Sequence, residues 1–520
     1  MFKTIQISRK IKRTVLFICI FFISIYVGVF LKDEDDNWLF RNINKMKIEN
    51  FGFMNSKLII EKLKLLIDLN KFNFSEEDEL IEELDKDGLK PHFPVVIIPG
   101  IGASVLELTD KNNYRQKVWG SLEMLKFMAL NKKKWIDILA VDEYNGIDAL
   151  EGIEGIDFII PYYSVWSKFI RIISSTIGYN SKNLFYATYD WRLSPHELEE
   201  RNFFLTNLKS KIECMYKINK KKIVIITHSY GSIVYYYFMN WVNNIDKKWV
   251  DRHIDSFIPI AAPFLGAPKT ISALLSGEVF KTRSSLETTF YDFAIKTEDV
   301  QKLARSLGSF YTLLPKGDNI YKNKLLVLKN IEIRNTIIKD VIKFLLPPQS
   351  AKKLDHHQYG SVATNKMDEY TKWANPLLNP LPYAPNFKIY LLYGVGKMTQ
   401  CGFYYNKFLK LDHNMNSPDG TIENGIYYSD GDGSVPLISL GYMGIKGWKS
   451  KELNKCNIKI TVKEYLHQPS KKLKDIRGGP KTADHIDCLV NHELIKDLVH
   501  KICNKKNIEE RIHSEIENIC

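Results

Sequence analysis

A mostly parallel α/β sheet carrying inserted segments is predicted by three features of this sequence. Short β-branched or apolar runs recur along the chain with helical patterns between several of them, the rhythm of a parallel sheet covered on both faces. The first, Phe93-Pro-Val-Val-Ile-Ile-Pro-Gly100, is apolar without alternation and stops at Pro-Gly, as a buried parallel strand does. Another, Ile223-Val-Ile-Ile226, runs into Thr227-His228-Ser229-Tyr230-Gly231 and then an apolar helical stretch from Ser232 to Val242. Strand, sharp turn around a central Ser, then helix is the plan of a nucleophile elbow, so the predicted fold is an α/β-hydrolase with cap and lid insertions.

The other strands are expected at Leu184 to Thr188, Ser256 to Ala261, Phe387 to Tyr393 and Ile458 to Val462. The hydrolase domain is expected over residues 93–503, with a tail at 504–520. Two stretches break the alternation, about 105–165 and 265–385, and are read as cap insertions over the sheet. Residues 32–92 form a charged lead-in with a helix start at Ser75. No internal repeat is evident.

At 520 residues, 45% hydrophobic and 12% aromatic, the chain can bury one large core. Its net charge of +13 would favour anionic surfaces. No basic stripe with interleaved stacking aromatics is present, so nucleic acid is not an expected partner. Lys3, Arg9, Lys10, Lys12 and Arg13 precede an apolar run from Thr14 to Leu31, and acidic residues follow it. That order predicts a signal peptide or, by its length, an uncleaved membrane anchor over 1–31, with the remainder in the secretory pathway. Cys19 lies in the run. Cys214, Cys401, Cys456, Cys488, Cys503 and Cys520 show no C-x-x-C spacing, so no metal site is expected.

A serine nucleophile at neutral pH needs a base and an orienting acid, which in this fold follow in the order Ser, acid, His. Tyr428-Ser-Asp430-Gly-Asp432-Gly-Ser-Val-Pro436 can present a carboxylate, with Asp432 the candidate acid and Asp430 its alternative. Read as a calcium loop from Asp430, it would place Val435 and Gly441 where Gly and Glu belong. His485, in Ala483-Asp-His-Ile-Asp487, is the candidate base; His492, about two turns beyond, reads as a helix-surface or packing residue. Tyr230, following the nucleophile, supplies one oxyanion N–H, and the small-residue loop Pro99 to Ser104 suits the other.

From about residue 93 to 498, these pieces resemble the lecithin:cholesterol acyltransferase family. The likeness rests on Pro94 to Glu107, on Trp119 and Trp135-Ile-Asp137, on Tyr189-Asp-Trp-Arg-Leu193 and on Ala262-Pro263 with Ser276-Gly277. It continues through Leu313-Leu-Pro-Lys-Gly317, Tyr393-Gly-Val-Gly396, Asp430 to Val435 and Asp484-His485, in family order. The resemblance implies a triad of Ser229, Asp432 and His485, and oxyanion amides at Ile101 and Tyr230. It implies lipid-facing or pocket roles for Trp119 and Trp135. Asp190, Trp191 and Arg192 would shape the pocket without joining the chemistry. Thr227 departs from the elbow's first Gly. Asn113, Lys134, Leu391 and Met443 stand where animal members carry disulfide cysteines.

The implied activity is a lipid acyl hydrolase or O-acyltransferase working at a phospholipid membrane surface without a cofactor. Phospholipid would acylate the serine, and water or a lipid alcohol such as a sterol would accept the acyl group. A neutral-lipid lipase or esterase is the alternative, and a non-catalytic lipid-binding protein on the same scaffold a more distant one.

Overall fold

The structure is a computed structural model that describes residues 74–519 apart from short internal segments, the longest being 279–295, 329–337 and 360–371. The expected N-terminal apolar run, most of the lead-in and Cys520 lie outside the described residues. Residues 81–279 and 296–520 make up one compact unit. The remainder, 1–80 and 280–295, groups separately, and of it only the start of the helix Phe74–Lys86 is described.

Six strands make the central sheet: β1 (Val95–Ile98), β2 (Leu184–Tyr186), β3 (Ile223–His228), β4 (Ile254–Ile260), β5 (Lys388–Val395) and β6 (Lys459–Leu466). All pairings are parallel, in the order β6-β5-β4-β3-β1-β2. Every expected run supplies a strand, with ends shifted by at most four residues. The four residues of β1 and the first four of β3 are fully buried, which accounts for their unbroken apolar character. This is the sheet of an α/β-hydrolase.

The chain passes from β1 outward to β2, then returns to place β3 on the other side of β1 and builds outward through β4, β5 and β6. Connections therefore leave β1 and β3 in opposite directions, and a crevice opens at their carboxyl ends. Open α/β sheets bind ligands at such a switch point. Helix α1 (Phe204–Asn219) packs one apolar face, whereas α2 (Tyr230–Ile245) is buried over most of its circumference. An all-round apolar helix needs cover on every side, and here Trp249, Trp373 and Trp448 pack against its aromatic residues.

The first inserted stretch forms a three-stranded antiparallel sheet, Leu106–Thr109 between Arg115–Trp119 and Ile147–Ala149, with the helix Lys132–Leu139. The second is mainly helical: Lys269–Leu275, Thr297–Ser306, Gly308–Thr312, Ile338–Leu345 and Pro348–Tyr359. The two join where Val141 N donates to Ser306 Oγ (3.1 Å) and Lys353 Nζ to the Val141 carbonyl (2.9 Å). Residues 279–295, which follow the Ser276-Gly277 pair of the family likeness, are outside the described residues. Among the described residues no helix is long and apolar enough to cross a membrane. Cys214, Cys401, Cys456, Cys488 and Cys503 are all free thiols.

The helical pattern from Cys488 to Ile502 divides into a short 3-10 turn, Asp487–Val490, and helix α3 (His492–Ile502). Asn491 causes the break: its Oδ1 accepts from Leu494 N (3.1 Å) and caps α3. Residues 504–519, expected as a tail, do not hang free. Arg511 pairs with Lys463 at the edge of β6, exchanging main-chain bonds with Val462 and Glu464. The buried Glu464 carboxylate then accepts from His513 N (2.5 Å), Ser514 N (2.6 Å) and Ser514 Oγ (2.6 Å).

Glu464→Ala is therefore expected to cost about 2–4 kcal/mol, because it strands three donors, and Ser514→Ala about 1 kcal/mol. Chemical denaturation measures both, and an unchanged midpoint in Glu464→Ala would show that the clamp contributes nothing.

Candidate active site

Strand β3 ends at His228, and the chain turns so sharply that Ser229 takes φ 51°, ψ −126°. A positive φ in a residue with a Cβ is strained and must be held by its surroundings. Ser229 N donates to the Ile260 carbonyl (2.9 Å) and Ser232 N to the Ser229 carbonyl (3.0 Å). The turn also lies against the end of β1. A Cβ on Gly231 would sit 2.2 Å from the Pro99 carbonyl oxygen, and one on Gly100 would sit 3.0 Å from Ser229 Cβ. Neither position has room for a side chain. The elbow's first position is different: Thr227 is buried and its hydroxyl is hydrogen-bonded to that of Ser232 (2.7 Å). A small hydroxyl residue is thus accommodated where the motif usually has Gly.

The loops after β5 and β6 bring the other two candidates to Ser229. Its Oγ lies 2.8 Å from His485 Nε2, and His485 Nδ1 lies 2.6 Å from Asp432 Oδ2. The other Asp432 oxygen accepts from Ser434 N (2.9 Å) and Val435 N (2.8 Å), while its carbonyl accepts from His485 N (2.8 Å). Asp432 is 1% exposed, so its orientation is fixed on every side. With Nδ1–H donated to the carboxylate, Nε2 keeps a lone pair for the serine proton. Asp430 serves otherwise. Its Oδ1 accepts from Gly396 N and Gly431 N, both at 2.7 Å, tying the acidic loop to the end of β5. Burial pushes the Asp430 carboxyl above its usual range. His492 does not join the site; its Nε2 lies 3.0 Å from Lys168 Nζ.

Tyr230 opens α2, so its N–H has no acceptor within the helix, and Ile101 stands in the turn that Ala103 N closes on the Gly100 carbonyl (3.2 Å). Neither amide donates to another main-chain group among the described residues. The Tyr189–Leu193 motif braces this turn from behind. Tyr189 Oη donates to the Pro99 carbonyl (2.8 Å), Tyr189 N to Ser104 Oγ (3.3 Å) and Trp191 Nε1 to the Ser104 carbonyl (3.2 Å). Arg192 forks onto Asp190 at 2.6 and 2.8 Å and donates to the Leu139 carbonyl (3.2 Å). Both members of that pair are buried.

Trp119 and Trp135, expected in lipid-facing or pocket roles, lie in the interior. Trp135 is 1% exposed and Trp119 8%, and their rings stack in a buried cluster that Trp191 completes. The indole N–H groups explain the placement. Trp119 Nε1 donates to the Gly102 carbonyl (2.7 Å) and Trp135 Nε1 to the Val118 carbonyl (3.1 Å), so these rings support the turn after β1 from the interior.

Two contributors were not visible in the sequence. Lys397, just past β5, places Nζ 2.8 Å from Asp484 Oδ2, and its main-chain N donates to the Gly431 carbonyl (3.1 Å). It thus joins the acidic loop to the histidine loop. Burial opposes ionisation of Asp484, but the charge and hydrogen bond of Lys397, the Asp487 N–H and the nearby His467 together hold the carboxyl below its usual value. The second is His228, whose imidazole lies against that of His485 at 5.2 Å between centroids. The only signal for either was proximity in sequence to a recognised motif.

The lecithin:cholesterol acyltransferase family model matches residues 113–492. The phospholipid:diacylglycerol acyltransferase of Schizosaccharomyces pombe is 34% identical over 495 residues, which cover 84% of this chain and 77% of that protein. The Saccharomyces cerevisiae phospholipid:diacylglycerol acyltransferase is 29% identical, covering 93% of this chain and 84% of its own. A mouse protein named lysosomal phospholipase A and acyltransferase is 24% identical, covering 71% and 84%. The chain belongs to the lecithin:cholesterol acyltransferase family.

Proposed function

We propose that this protein transfers an acyl group from a phospholipid to a lipid alcohol through an acyl-Ser229 intermediate, with water as the competing acceptor. The observation that carries this reading is the line of hydrogen bonds from Ser229 Oγ through His485 to Asp432 at the carboxyl end of β3. His485 Nε2 takes the Ser229 proton as Oγ attacks the acyl carbonyl carbon. Negative charge collects on the carbonyl oxygen, where the Tyr230 and Ile101 N–H groups receive it. The imidazolium then protonates the departing lysophospholipid oxygen, leaving the ester on Ser229. An acceptor hydroxyl gives its proton to His485 and its oxygen to the acyl carbon, and Ser229 regains its proton. Asp432 holds the imidazole in the required tautomer throughout. These steps need no cofactor.

Water and alcohol share the first half of this sequence, so the acceptor depends on what the cap segments admit and exclude. The relatives of higher identity favour diacylglycerol as that acceptor. The apolar run from Thr14 to Leu31, the acidic residues after it and the basic residues before it support a place on a membrane of the secretory pathway.

Purified full-length protein with acyl-labelled phosphatidylcholine vesicles is expected to release lysophospholipid. The label should pass to triacylglycerol when diacylglycerol is included and to free fatty acid when it is not. Ser229→Ala should abolish both products, and undiminished lysophospholipid from that variant would sink the assignment. In the same assay Asp432→Asn should lower turnover on the order of 10⁴-fold through the wrong imidazole tautomer. Asp430→Asn keeps an acceptor oxygen for its two amides, and its loss should stay within about tenfold. Equal losses in the two would reverse their roles.

A further inference from the structure

His228 occupies the variable position of the elbow, one residue before the nucleophile, and its side chain is buried. Its Nε2 lies 2.7 Å from the His485 main-chain carbonyl oxygen. A carbonyl has no proton to give, so Nε2 carries the hydrogen and donates it. Nδ1 is then a bare lone pair. It has no hydrogen-bond partner among the described residues and faces Gly100, where an added Cβ would come within 2.8 Å. Burial and the neighbouring His485 keep the ring neutral, with its pKa pushed down to about 3. The Trp166 ring meets it edge-on at 6.4 Å.

His485 sits in an irregular loop between β6 and the 3-10 turn, with no strand or helix to fix its backbone. Its main-chain N–H is tied to the Asp432 carbonyl (2.8 Å). Its main-chain carbonyl is tied to His228, with a second, weaker donor in Cys488 Sγ (3.3 Å). One end of the residue is thus held by the loop that carries the acid, and the other by the strand that carries the nucleophile.

We propose that His228 is a positioning residue for the base: its Nε2–H holds the His485 main chain so that the imidazole stays within reach of Ser229 Oγ. The inference rests on the acyl-transfer reading above. It assigns the elbow's variable position a specific donor and not merely a shape. The neutral ring adds no second positive charge beside the imidazolium that forms as Ser229 attacks.

The test compares His228→Phe, which keeps a ring but no donor, with His228→Gln, whose amide nitrogen can reach the same carbonyl. Two readouts apply: the rate at which a fluorophosphonate labels Ser229, and kcat and KM for acyl release from phosphatidylcholine vesicles. His228→Phe is expected to lose on the order of 10- to 100-fold in labelling rate and kcat, the scale of a slightly misplaced catalytic group, with KM nearly unchanged. His228→Gln should recover most of that loss. Where the Phe variant does not melt cooperatively, His228→Met supplies the donor-free comparison. A folded donor-free variant that labels at the wild-type rate would overturn the proposal, as would a Gln variant as slow as the donor-free one. Ser229→Ala separates the two readings. Labelling that survives in Ser229→Ala removes the nucleophile assignment itself. A silent Ser229→Ala beside a fast His228→Phe removes only the role of His228.

Discussion

The site depends on how closely the turn after β3 approaches the end of β1. Gly231 and Gly100 have no side chains because the Pro99 carbonyl oxygen and Ser229 Cβ occupy the space those side chains would need. That contact holds a serine with a Cβ at φ 51° and lifts its hydroxyl out of the sheet. It also sets the Ile101 turn beside the first N–H of α2. The proposed nucleophile and the proposed oxyanion donors are therefore two consequences of one packing contact. The buried Asp190–Arg192 pair and the Trp119–Trp135–Trp191 cluster stiffen the β1 side of it from behind.

The remaining chemistry reaches this contact on loops, and the loops are joined to each other before they are joined to the serine. Asp430 ties the acidic loop to Gly396, Lys397 ties it to Asp484, and the Asp432 carbonyl ties it to His485 N. Lys269, on the helix after β4, donates to the Gly433 carbonyl (3.0 Å) and holds the same loop from the other side. The proposed acid and base thus form one unit at the ends of β5 and β6. The His228 side chain ties that unit to the elbow through the His485 main-chain carbonyl. Free-energy changes in any of these ties would be felt as misplacement of Nε2 and not as loss of a reacting group.

How much of this was legible in the sequence follows from what each feature depends on. Strands buried on both faces favour unbroken apolar runs, so β1 and the start of β3 read plainly, whereas β6, which holds Lys463 and Glu464, was read only as far as Val462. The meeting of Ser229, Asp432 and His485 was legible because the fold prescribes their order, and glycine-rich surroundings mark where loops must bend. The burial of Trp119 and Trp135 was not legible. An indole is amphipathic, and nothing local says whether its N–H meets water at a membrane or a carbonyl in a core. Lys397 and His228 were missed because their partners lie 87 and 257 positions away. The clamp on β6 was missed for the same reason: a Glu, an Arg and a Ser in polar surroundings read as solvated surface until the sheet edge they meet is known.

The clamp also bears on the order in which the chain is made. Ser514, which satisfies the Glu464 carboxylate, is 50 positions downstream of it. At ordinary elongation rates the ribosome needs roughly 3–10 s to add that many residues. For that interval β6 has been synthesised, but the segment that covers its outer edge has not. An uncovered edge strand is a template for pairing with any other extended chain. The nascent enzyme therefore passes through a period of vulnerability that the finished molecule does not show. Sequence changes at 511–514 that leave the folded site untouched would act there, by lengthening the wait for cover and lowering the yield of active protein.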